Sequence, residues 1–240
     1  MIQVFVREFS GYLSSLIAYM VIGVFLTAIG LLTWVFPETS VLDYGYADMD
    51  TLFSMAPYVF IFLIPAITMK TFAEEKKMGT LELLLTKPLT ETQIVLGKFF
   101  AAWALVLLAL LPTIVYYFSV SALGNPKGNI DAAAVVGSYT GLILLAAIFC
   151  AIGVLASSFT HNQIVAFITA AFCCFLFYLG FDSLAAFAAA HALVVKQLGI
   201  LYHYESLSRG LIDSRDVVYA ISVTGFFIVS TIVVVKSRLW

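Results

Sequence analysis

Charged residues are scarce in this sequence. Asp, Glu, Lys and Arg make up 11% of its 240 residues, against about 25% in soluble globular domains. That deficit excludes an ordinary soluble fold. Apolar residues reach 62% and the mean hydropathy is +1.06, which points to an all-α integral membrane protein. No acidic tail or basic block is present, so no nucleic-acid partner is expected. Cysteine is also sparse. Cys150, Cys173 and Cys174 all lie in apolar runs. An odd, buried set makes no disulfide framework, and without C-x-x-C spacing no metal site is expected, so they read as packed thiols.

The motifs of common chemistry are missing too. Gly97-Lys98 is followed by Phe99, and position 92 is Thr, so the phosphate-cradling pattern G-x-x-x-x-G-K-[ST] fails. Neither His191 nor His203 is followed by Glu, and His161 has no partner at metal spacing either. All three histidines read as polar surface groups. There is no G-x-S-x-G nucleophile elbow. No catalytic, metal-binding or cofactor-binding residue is expected in the chain.

What the sequence has is long charge-free runs. A span needs roughly 20 apolar residues to cross about 30 Å of hydrocarbon. A central charge costs about 2.5–3.5 kcal/mol. These rules place spans near 14–36, 52–69, 99–121, 135–158, 164–181 and 217–235. The run 132–181 contains no charge and is too long for one span. The polar cluster Phe159-Thr160-His161-Asn162-Gln163 is its natural turn. Residues 1–12 form a short interfacial helix, and the apolar run from Phe9 to Pro37 is too long for a cleaved signal, so the first span is expected to be retained. One membrane domain, 1–240, is expected.

Cation placement sets direction. With the N-terminus inside, Arg7, Lys70, Lys76, Lys77, Lys87, Lys98, Lys236 and Arg238 fall in the cytosol, and only Lys127, Lys196, Arg209 and Arg215 fall outside. The first outer loop carries Glu38, Asp43, Asp48 and Asp50 and no cation. Both termini are therefore expected in the cytosol. The segment 185–216 is semi-polar and too interrupted to span; it reads as a re-entrant or interfacial hairpin. Trp34, Tyr44, Tyr46, Tyr116 and Tyr117 sit near span boundaries, as interface belts do.

The spans hold essentially no ionisable residue, which argues against an ion-coupled transporter. Asp182, at the outer end of span five, is the nearest; it reads as an interfacial residue or part of an extracellular gate. Pro65 and Pro112 interrupt spans two and three. In span four, Gly137–Gly141, Ala147–Ala151 and Gly153–Ser157 place small residues four apart, favouring close packing within the subunit over a dimer seam.

The most informative stretch is 71–98, TFAEEKKMGTLELLLTKPLTETQIVLGK. Glu74, Glu75, Lys76 and Lys77 form a mixed-sign cluster. From Gly79 and Thr80 a two-turn helix is expected, with Leu81, Leu84 and Leu85 on one face. Pro88 breaks it. Thr90 and Gln93 have capping-box spacing and start the next helix. A surface leucine face has to rest on lipid, another helix or a partner.

This stretch resembles the first cytosolic region of ABC-2-type transporter permeases, in which an acidic-basic cluster precedes G-T-x-E, leucines, Pro, and G-K opening the third span. The matching residues are Glu74, Glu75, Gly79, Thr80, Glu82, Pro88, Gly97 and Lys98. Further stretches (LDYGYADMDTLFSMAP, LGNPKGNID, NQIVAF, LGFDSLA, HYESLSRGLIDSRDVVYA) resemble the gliding-motility-associated permease subunits of Bacteroidetes. The resemblance implies a six-span, type V exporter-like permease of the bacterial inner membrane. It implies a second membrane subunit, identical or related, and a separate cytosolic ATPase carrying ATP and Mg. Gly79–Leu85 would be the coupling helix, with Glu74, Glu75 and Glu82 as polar contacts. A non-transporting scaffold that docks an ATPase onto a motility or secretion complex is the competing expectation.

Overall fold

The computed structural model describes residues 1–43, 47–80, 89–187 and 191–237, and among these every regular element is helical. Helix α1 (Ile2–Ser14) leads into α2 (Leu16–Trp34) through an extended Ser15. The second span is α3 (Asp50–Thr68) continued by α4 (Lys70–Lys77). The third is α5 (Glu91–Leu110), a 3-10 turn at Leu111–Thr113, and α6 (Ile114–Leu123). Then come α7 (Ala132–Phe159) and α8 (Gln163–Phe175), the latter extended by a π turn at Leu176–Gly180 and α9 (Phe181–Ala185). Two short helices, α10 (Ala192–Leu198) and α11 (Ile200–Ser208), precede α12 (Ser214–Lys236). Among the described residues, six helical stretches are long and apolar enough to cross a membrane.

Local chemistry sets the helix starts. Thr90 accepts from Gln93 N while the Gln93 side chain reaches back to Thr90 N, closing the expected capping box. Asp131, Asn162 and Asp213 each accept backbone N–H bonds at the starts of α7, α8 and α12. Pro112 sits in the 3-10 turn that interrupts the third span, where its missing N–H removes an α-helical bond.

Helix α7 is the hub. It packs against α3, α4, α5, α8, α11 and α12, and its small residues make that possible. A Cβ on Gly153 would lie 2.0 Å from Thr68 Oγ1, and one on Gly137 would lie 2.6 Å from the Gly210 carbonyl oxygen. These close approaches join elements of one chain. The first, fifth and sixth spans are peripheral and leave broad apolar faces outward, for example Val24, Phe172 and Val229.

Two features add to these expectations. Spans two and three run over Asp50–Lys77 and Glu91–Leu123, 28 and 33 residues, well beyond 52–69 and 99–121. A charge marks where hydrocarbon ends, not where a helix ends. Residues 71–77 thus continue the helix of the second span. In the semi-polar outer segment, α11 packs into the bundle. Ile200, Tyr204 and Leu207 are buried, and Tyr204 Oη donates to the Phe53 carbonyl at 2.5 Å.

Candidate functional site: the α1–α4–α5 junction

Helix α1 is amphipathic and lays Val4 against α5. Glycine at position 97 allows this, since a Cβ there would stand 2.8 Å from Val4 Cβ. The neighbouring Lys98 then points into the junction. Its side chain is 1% exposed, yet three oxygens surround its ammonium. Nζ lies 2.9 Å from Glu75 Oε1 and 3.1 Å from Glu8 Oε1, and it donates to the Thr71 carbonyl at 2.8 Å. The Phe72 ring centroid is 5.2 Å away. Arg7, more exposed, reaches Glu75 at 3.4 Å and Glu8 at 3.9 Å. Two cations thus balance two carboxylates. Glu75 Oε2 is buried and has no partner among the described residues.

Tyr12 closes the junction, its hydroxyl 3.5 Å from Thr71 Oγ1. Burial raises its pKa above the ordinary tyrosine value, so it stays neutral. Beside it a polar cavity of about 350 Å³ is lined by Arg7, Glu8, Lys70, Glu74, Glu75 and Lys98 among others.

On the opposite side α7 grips α4. Ser157 Oγ accepts from Phe72 N at 2.8 Å and Ala73 N at 3.1 Å, and donates to the Met69 carbonyl at 3.3 Å. A hydroxyl is thereby inserted into the backbone ladder of the second span, a recognised cause of local bending. Lys76 Nζ donates to the Ser158 carbonyl near the C-terminus of α7, where a cation is favoured by the helix dipole. Phe72, Ile94, Val95, Val154 and Val235 form a small apolar core underneath.

A family model described as ABC-2 family transporter protein matches residues 17–236. The chain belongs to this family. It is a membrane permease component of an ABC transporter, a transmembrane subunit and not itself catalytic. The search of curated proteins found no match.

The ABC-2 permease places its sequence-predicted residues unevenly. Glu75 is turned inward onto Lys98 and Arg7. Glu74 is half-buried on the cavity wall. Gly79, at φ +69°, ends α4 in the left-handed conformation that glycine adopts without strain. Thr80 Oγ1 donates to the Glu75 carbonyl at 3.3 Å. Leu81, Glu82, Leu84, Leu85 and Pro88 lie outside the described residues. Asp182 stands far from this junction, in an exposed ion pair with Lys196 at 2.6 Å. That pair joins α9 to α10 and raises the Lys196 pKa.

Sequence reasoning missed Arg7, Glu8 and Ser157 as members of the permease junction. The spacing Gly153–Ser157 was the available signal for Ser157. It also misjudged His203, which is not a surface group. Nδ1 is 2.7 Å from Asp216 Oδ1, Nε2 is 2.9 Å from the Gln197 carbonyl, and the ring stacks on Tyr219 at 3.8 Å. These contacts fasten α11 to α10 and α12.

Proposed function

We propose that this ABC-2 permease couples ATP hydrolysis on a separate cytosolic ATPase to export across the bacterial inner membrane, in the service of gliding motility. ATP and Mg belong to that partner. A second membrane subunit, identical or related, completes the pathway. The N- and C-termini and the 70–98 segment face the cytosol, as the cation distribution favours. Residues Glu74, Glu75, Gly79, Thr80, Leu81, Glu82, Leu84, Leu85 and Pro88 form the coupling region. Within it Gly79–Leu85 is the coupling helix that meets the ATPase, with Glu74, Glu75 and Glu82 as polar contacts. On the opposite face, the Asp182–Lys196 pair belongs to an outer gate.

The observation that carries this reading is the physical continuity of α4 with the second span, bonded at once to α1, α5 and α7. A force applied beyond Gly79 therefore reaches several spans directly. A solvated connecting loop needs no such anchorage.

The test is Glu82→Lys in the full-length chain. Co-purification of the ATPase, or the stimulation of its hydrolysis by the permease, is expected to be lost while the permease remains monodisperse. Unchanged binding and full stimulation would count against the coupling assignment. Retained binding with ATP-dependent work but no flux in vesicles would favour the scaffold.

A further inference from the structure

The ionic groups of the cytosolic junction come from three elements far apart in sequence. Arg7 and Glu75 are 68 positions apart, and Glu8 and Lys98 are 90 apart. Nothing local holds them together, so their bonds fix how α1, α4 and α5 sit against each other. Apolar packing alone leaves helices free to slide by small steps, because it is non-directional. Hydrogen bonds to an ammonium are directional and, once buried, expensive to leave unmade. Lys98 donates to Glu8 on α1 and to the Thr71 carbonyl on α4, and pairs with Glu75 on α4 at 2.9 Å.

The stretch it holds is one where the backbone ladder of the second span is interrupted. Between Met69 and Ala73 the backbone ladder is opened by the Ser157 hydroxyl. A helix interrupted in this way bends when pushed at its end. Without a clamp, displacement of the segment beyond Gly79 would be absorbed there.

We propose that Lys98 is the positioning residue that keys α4 to α1 and α5, so that a displacement at the end of α4 carries the three helices together instead of being lost in bending at Met69–Ala73. The proposal rests on the coupling reading above. Lys98 touches neither nucleotide nor cargo. It acts by holding two helices in register, and Ser157 supplies the opposing grip from α7.

The experiment uses the full-length permease with its ATPase in lipid nanodiscs, with spin labels at two pairs of positions. Lys77 and Lys236 report the cytosolic end, and Phe118 and Val218 report the opposite half of spans three and six. In the otherwise unaltered chain, nucleotide trapping should shift both distances. In Lys98→Met the ATPase should still bind and the 77–236 shift persist, while the 118–218 shift is lost. Glu8→Gln/Glu75→Gln/Lys98→Met removes the buried charges together and should behave the same, so unpaired carboxylates are not the cause. Both shifts surviving in these variants would overturn the proposal alone. An unaltered permease that binds no ATPase would overturn the coupling reading, and this proposal with it. Failure of both variants to insert and fold would assign the cluster to stability only, which also overturns it.

Discussion

At the scale of single residues, the permease depends on places where a side chain is absent. Gly153 lets α7 approach the second span until Thr68 fills the space a Cβ would take. Gly153→Ala should therefore destabilise the protein by about 1–3 kcal/mol, the usual cost of overpacking. A lowered melting temperature in detergent checks this, and an unchanged one would show that Thr68 moves aside freely. The spacing of Gly153 and Ser157 was readable in the sequence as close packing, but the hydrogen bonds of Ser157 were not, because its acceptor role depends on where a distant helix opens. Lys98 shows the same limit. Counting cations treats every lysine as solvated, and only the folded chain brings Glu8 and Glu75 to its ammonium.

At the scale of elements, charge-free runs located all six candidate spans, and the cap chemistry of Thr90 and Gln93 located the start of α5. Helix ends were less legible. The charged turn Lys70–Lys77 continues the second span because α5 and α7 satisfy its polar groups. Ser157→Ala tests that account. It withdraws the acceptor from Phe72 N and Ala73 N, which are buried, and a buried group left unsatisfied costs roughly 1–3 kcal/mol. Amide exchange at Phe72 and Ala73 should accelerate while that of α7 stays slow. Equal protection in the variant would mean the ladder closes without the hydroxyl. The 185–216 segment was legible only as non-spanning. The packing of α11 on α7 is helped by Gly137 meeting Gly210, a pairing of two glycines that no local pattern announces.

At the scale of the whole molecule, the two ends of the bundle differ in chemistry. One end gathers α1, α4 and the ionic cluster of Lys98. The other gathers residues 36–43 and 47–49, the 124–131 connection and the short helices α10 and α11. The whole proposal requires the first end to face the cytosol, where an ATPase can reach it. Cysteine labelling in cells tests this most directly, using Asp43→Cys and Lys77→Cys, both at exposed positions, with the native cysteines replaced. An impermeant maleimide should label position 43 in intact cells, and position 77 only after the membrane is permeabilised. Labelling of position 77 from outside would contradict the account, because no ATP-hydrolysing partner could then drive the permease through that end.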